Sequence, residues 1–163
     1  PARGRMEVLS ETKNKALVII DYAHTPAALK SALKSIQEII GRERIITLFG
    51  CGGDRDKNKR KIMGEIANEY SDIVIVTDDN PRNEIPSNIR SEILSGCPTA
   101  TEIPNRDKAI KYAVSLLKKN DLLLIAGKGH ETFQAVGIET LPFDDYTVAK
   151  EAIKNIDKSG IIN

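Results

Sequence analysis

Short apolar runs alternate with helix-patterned segments along the whole chain, and four of the runs end in a polar, glycine- or proline-marked loop. Leu17–Ile20, Ile45–Phe49, Ile73–Thr77 and Leu122–Ala126 are rich in branched residues and bounded by turn signals, so they read as buried strands. Thr25-Pro26 follows the first as a helix N-cap and first helical residue. Leu29, Ala32, Leu33, Ile36 and Ile40 then recur at helical spacing, and Gly41 ends that helix. Ile62, Met63, Ile66, Ala67 and Tyr70 repeat the pattern after the second strand. A short helix is expected over Ser87–Leu94, and another, capped by Asn105 or Asp107, carries Ile110, Ala113, Val114 and Leu117. Thr99–Ile103 reads as a short strand, and Thr132–Leu141 as extended chain with a turn near Gly137. Asp145 is expected to cap a last helix bearing Val148, Ala152, Ile153 and Ile156. Such alternation predicts a Rossmann-like α/β fold: a doubly wound, mostly parallel sheet with helices on both faces.

At 163 residues the chain suits one such domain, read here as residues 11–157, with tails at 1–10 (an interdomain linker remnant) and 158–163. It opens on Pro1 and is read as part of a longer protein. The net charge of +1 gives no reason to expect a nucleic-acid partner. The apolar run Ala16–Ile20 is far too short to cross a bilayer, so no membrane partner is expected. Two cysteines, Cys51 and Cys97, do not make a disulfide framework and fit a reducing cytoplasm. His24 and His130 lack partners at zinc spacing, so no metal site is expected.

The loops after the four strands carry the polar residues. They are Asp21-Tyr22-Ala23-His24-Thr25-Pro26, Gly50-Cys51-Gly52-Gly53-Asp54-Arg55-Asp56, Asp78-Asp79-Asn80-Pro81-Arg82 and Gly127-Lys128-Gly129-His130-Glu131. Open α/β sheets bind ligands outside the carboxyl ends of their strands, so all four loops fall on the binding edge. Their mixture of carboxylates and guanidiniums suits a zwitterion or a nucleotide. Singly, each has a plainer reading. Asp21 can be a capping residue, the charged run from Asp54 a solvated surface, and Asn80-Pro81 a turn. Gly127-Lys128-Gly129 looks like a phosphate loop but lacks the Gly-x-x-x-x-Gly-Lys-Ser/Thr spacing. It is their convergence on one edge that favours function.

Gly4-Arg5-Met6-Glu7, Asp21–Pro26, Gly50–Arg60, Asp79–Arg82, Gly127–Glu131 and Phe143-Asp144-Asp145 occur in this order in the Mur ligase family. The chain resembles the last domain of that family over about residues 3 to 156, nearest to the branch that adds the third residue of the peptidoglycan stem peptide. The resemblance implies an ATP-dependent ligase that joins meso-diaminopimelate to UDP-MurNAc-L-Ala-D-Glu. A first domain would hold the UDP-sugar and a central one ATP and Mg2+, leaving this chain to bind the incoming amino acid and close over ATP. Alone it is expected to be inactive. By position, Arg5 and Asp21 would act on the nucleotide, at phosphate and ribose, with His24 beside them as a third catalytic candidate. Arg55, Asp79, Asn80, Arg82, Gly127 and Glu131 would bind diaminopimelate. Arg82 can hold its second carboxylate through a planar fork. Glu131 would balance an ammonium, with Asn80 and the Gly127 carbonyl accepting its remaining hydrogens. Asn58 stands where the resemblance has glycine, and is expected to keep the turn through its tolerance of left-handed backbone. Alternatives are a lysine-adding Mur ligase, a folylpolyglutamate synthase domain, or an amino-acid-binding module without catalysis.

Overall fold

The computed structural model describes residues 3–39 and 41–159. Five parallel strands and one antiparallel edge strand form a sheet in the order β1-β2-β6-β3-β4-β5. These are β1 (Glu7–Glu11), β2 (Leu17–Asp21), β3 (Ile45–Phe49), β4 (Ile73–Val76), β5 (Thr101–Glu102) and β6 (Leu122–Ala126). The helices are α1 (Pro26–Gln37), α2 (Asn58–Tyr70), α3 (Pro86–Leu94), α4 (Arg106–Ser115) and α5 (Asp145–Ser159). A separate hairpin joins β7 (Phe133–Val136) to β8 (Glu139–Pro142).

The central strands are apolar on both faces, as a covered parallel sheet requires. Leu17 and Ile19 of β2, with Leu122 and Leu124 of β6, pack against Leu29, Leu33 and Ile36 of α1, Met63 of α2 and Ile93 of α3. The alternate residues Val18, Ile20, Leu123 and Ile125 pack against Ile110 and Val114 of α4 and Ala149 and Ile153 of α5. Helices therefore cover both faces, as the sequence predicts. β6 lies between β2 and β3, bonded in parallel to each. The three loops at the carboxyl ends of these central strands thus open side by side.

Several local expectations are corrected. Residues 7–10, read as tail, belong with Glu11 to β1, which pairs with β2. The helix of Leu29 stops at Gln37, before Gly41, and Ile40 lies outside the described residues. The strand expected over Thr99–Ile103 shrinks to two residues. Asp145 is not the cap of α5. Asp144 takes that role, accepting from Tyr146 N–H (3.0 Å) and the Thr147 hydroxyl (3.2 Å). Asp145 instead turns inward to a buried arginine. Asn58 is the first residue of α2 and not left-handed; the left-handed residues near it are Asp54 (φ 53°) and Arg82 (φ 52°). Thr25 does cap α1 through Ala28 N–H, and Asn105 caps α4 through Lys108 N–H.

Candidate functional site

The loops after β2, β3, β4 and β6 enclose a cleft of about 720 Å3. Its walls include His24, Arg55, Asp79, Asn80, Arg82, Gly127 and Glu131. All six residues assigned to the amino acid are therefore brought together, with His24 beside them. Arg5 and Asp21 do not line the cleft.

Close backbone approach sets the shape of this edge. A Cβ at Gly53 would run into the Pro81 carbonyl, and Gly53 N–H donates to the Asn80 carbonyl at 2.8 Å. The loops after β3 and β4 are thereby locked side by side. Arg60 of α2 reinforces them. Its side chain is fully buried and donates to the Gly52 carbonyl (2.9 Å), to both oxygens of Glu84 (3.1 and 2.7 Å) and to Glu92 (3.0 Å). This bidentate partner pulls the Glu84 carboxyl down to about 2, helped by Asp54 N–H.

Arg82 departs from the left-handed rule because its backbone is trapped. Its N–H donates to Ala135 O (3.0 Å) and its carbonyl accepts from Gly137 N–H (2.7 Å), so β7 and the turn after it hold it on both sides. The side chain is half-buried, with Nη1 on the Gly53 carbonyl at 2.9 Å. Among the described residues it has no carboxylate partner. Arg55, on the exposed part of the wall, bonds the carbonyl of Asp54 (2.9 Å).

Asn80 is buried, and its amide is oriented by two donors. Oδ1 accepts from Lys128 Nζ (2.9 Å) and from Ala135 N–H (3.0 Å). Both partners can only donate, so the oxygen must face them and Nδ2 is left towards Glu131 (3.4 Å) and the cleft. Asn80 therefore offers a donor. Oδ1, which was expected to accept from a ligand ammonium, is already engaged by two donors. Asp79 is 8% exposed, and burial pushes its carboxyl up, opposed by nearby Arg106 and Lys128. Cys51 also touches the cleft, but burial pushes its thiol up to about 12, so no thiolate nucleophile is available at neutral pH.

Beside the cleft, Asp21 joins two chain segments. Its oxygens accept from Met6 N–H and Ala23 N–H, both at 2.8 Å. Gly4 presses so closely on the Gly129-His130 backbone that a Cβ there would collide. These contacts place Arg5 over the Tyr22 ring, 5.3 Å from its centroid, with His130 on the same ring at 5.8 Å. His24 Nδ1 lies 2.8 Å from the Tyr22 carbonyl, which can only accept, so Nδ1 carries a proton.

The sequence reading misses Arg106 and gives other roles to two further charged residues of this edge, Asp145 and Lys128. Arg106 and Asp145 are both fully buried and paired at 2.7 Å. Arg106 also donates to the carbonyls of Asp78 (3.3 Å) and Ala126 (3.2 Å), at the ends of β4 and β6. Lys128 is turned inward, away from any phosphate-loop role. The available signal was its place one glycine beyond a wholly apolar strand. No three His, Cys, Asp or Glu side chains among the described residues converge as a metal-binding set.

Fold and cleft together define an open α/β domain with a polar ligand-binding edge. The chain belongs to the Mur ligase family: residues 4–129 match its domain described as "Mur ligase, glutamate ligase domain". It is 52% identical over 160 residues to the UDP-N-acetylmuramoyl-L-alanyl-D-glutamate–2,6-diaminopimelate ligase of Agrobacterium fabrum, covering 98% of this chain and 32% of that protein. The ligase of the same name from Rhizobium meliloti is 52% identical over 152 residues, covering 93% and 31%. A solved structure of a ligase of that name superposes with a TM-score of 0.86 at 37% identity, covering 94% of this chain and 32% of that one. The chain thus spans about a third of the length of these relatives. Escherichia coli FolC in complex with ADP shares the fold, with a TM-score of 0.63 at 19% identity over 98% of this chain and 32% of that one.

Proposed function

We propose that the chain is the amino-acid-binding domain of an ATP-dependent ligase that joins meso-diaminopimelate to UDP-MurNAc-L-Ala-D-Glu in peptidoglycan synthesis. The observation that carries this reading is Arg82: a half-buried guanidinium on the cleft wall with no carboxylate partner among the described residues. Diaminopimelate is, in effect, lysine with a second carboxylate on its far carbon. Arg82 holds that group through its fork, with Asn80 Nδ2 donating to it. Glu131, Asp79 and the Gly127 carbonyl take the ammonium at the same end. Arg55, on the outer wall, adds a cation for either carboxylate. The opposite amine is left to attack.

ATP with Mg2+ supplies the phosphoryl group that activates the acceptor carboxylate. This domain's part is to hold the amine in place, through the residues of the cleft. The amine nitrogen bonds the activated carbonyl carbon, the carbon–oxygen bond to phosphate breaks, and the nitrogen loses a proton. Arg5 and Asp21 lie where a closing domain meets the nucleotide, Arg5 at phosphate and Asp21 at ribose, with His24 alongside. Among the described residues no helix is long and apolar enough to cross a membrane. The unbridged cysteines fit work in the cytoplasm.

Truncating one member of a buried charge pair costs about 2–5 kcal/mol, or roughly thirty- to several-thousand-fold. Arg82→Ala in the whole ligase should raise KM for meso-diaminopimelate by that order and leave KM for the UDP-sugar nearly unchanged. The unmodified ligase should use lysine poorly, because lysine leaves Arg82 unpaired. Equal catalytic efficiency with the two amino acids would overturn this reading in favour of a lysine-adding ligase.

A further inference from the structure

Lys128 stands in the loop after β6 but is not among the residues lining the cleft. Its side chain is fully buried. Nζ donates to the Phe133 carbonyl at 2.6 Å, to Asn80 Oδ1 at 2.9 Å and to Glu131 Oε1 at 3.4 Å. An ammonium has three hydrogens, and these three bonds use them all. Lys128 therefore has nothing left to offer a ligand directly. What it touches, however, are two cleft-lining groups, Asn80 and Glu131.

We infer that Lys128 is a positioning residue: its buried ammonium fixes the Asn80 amide with Nδ2 towards the cleft and neutralises Glu131, and so sets the preference for a ligand with a second carboxylate. This rests on the diaminopimelate reading above. An amide has two orientations of nearly equal shape, and only hydrogen bonding separates them. Turned over, Asn80 would place NH2 against the Lys128 ammonium and the Ala135 N–H, three donors with no acceptor among them. The observed orientation satisfies both partners. The charge argument runs the same way. Without Lys128, Glu131 loses its cationic neighbour, and the cleft becomes more hostile to a carboxylate and more welcoming to the bare ammonium of lysine.

The test uses the whole ligase with two substitutions. Lys128→Met keeps length and bulk and removes the charge and all three bonds. Asn80→Asp keeps an oxygen for Lys128 and Ala135, but replaces the cleft-facing donor with an acceptor. Hydrogen bonds to charged groups contribute enough for a loss of roughly tenfold or more. Lys128→Met should raise KM for meso-diaminopimelate by that factor, leave KM for ATP within about twofold, and lower the preference for meso-diaminopimelate over lysine. Asn80→Asp should also raise KM for meso-diaminopimelate by roughly tenfold or more. Two results each overturn the inference. One is a Lys128→Met enzyme that loses kcat alone, or all affinities equally, with its amino-acid preference intact. The other is an Asn80→Asp enzyme that binds meso-diaminopimelate as well as before, which also decides the matter if Lys128→Met fails to fold. Failure of the underlying reading looks different: the unmodified ligase would then use lysine and meso-diaminopimelate equally.

Discussion

Glu84 accepts two bonds from the buried Arg60 guanidinium and a third from Asp54 N–H at 2.6 Å. Its carboxyl is held at about 2, against an ordinary value of 4.5. A lowered carboxylate pKa contributes stability above the unfolded value, and that stability is lost as pH falls through the folded value. Glu84→Gln should therefore unfold at lower urea than the unmodified chain at pH 7. The gap should narrow below about pH 4.5 and close near pH 2. A gap independent of pH over this window would show that the ion pair is not its cause. Among single residues, those whose local sequence dictates their geometry were legible. Thr25 and Asn105 cap helices because a small polar residue stands directly before each helical pattern. Residues fixed by distant partners were not. The polarity of Asn80 depends on Lys128, 48 positions away. Asp145 looked like a cap because its destination, Arg106, lies 39 positions earlier.

Elements repeat this pattern. Strands covered on both faces declare themselves as apolar runs, and β2, β3, β4 and β6 were all readable. The edge strand β1 was not, because it needs only backbone pairing with β2 and leaves Val8 54% exposed. The β7–β8 hairpin was read as extended chain turning at Gly137, which has φ 60°. Its importance to the site was hidden, since it acts by gripping the Arg82 backbone. The Arg106–Asp145 pair is a fully buried polar tie between elements. It joins α4 to α5 and also bonds the last carbonyl of β6. Removing one partner leaves a buried charge uncompensated, which costs about 3–5 kcal/mol, whereas an apolar replacement of both is often neutral. Asp145→Ala should thus lower the unfolding free energy by about 3–5 kcal/mol in chemical denaturation. Arg106→Met combined with Asp145→Leu should recover most of it. A double variant as unstable as the single one would mean that the carbonyl bonds, and not the ion pair, dominate.

For the whole molecule, alternation of strands and helices was enough to foretell a parallel sheet covered on both faces. It could not place β6 between β2 and β3, because strand order depends on which helix crosses which face. That order matters, since it sets the Gly127–Glu131 loop between the loops after β2 and β3. The same packing accounts for Arg5. Its segment is fixed through Met6 N–H on Asp21 and the tight approach of Gly4 to Gly129-His130, yet its side chain stays exposed over Tyr22. An exposed cation just before β1 and outside the cleft fits the role proposed for Arg5 at the nucleotide. Preorganised cations act most on charge that develops in the transition state, and loss of one such group costs roughly a hundred- to a thousandfold in kcat. Arg5→Ala should therefore barely shift the melting temperature of the 163-residue chain, because the side chain is exposed. In the whole ligase it should lower kcat by roughly that factor, with KM for meso-diaminopimelate little changed. The 163-residue chain, whose sequence has no Gly-x-x-x-x-Gly-Lys-Ser/Thr phosphate loop, should release no phosphate from ATP with or without Arg5. Near-normal turnover by the Arg5→Ala ligase would remove Arg5 from the nucleotide site and reduce its stacking on Tyr22 to a surface contact.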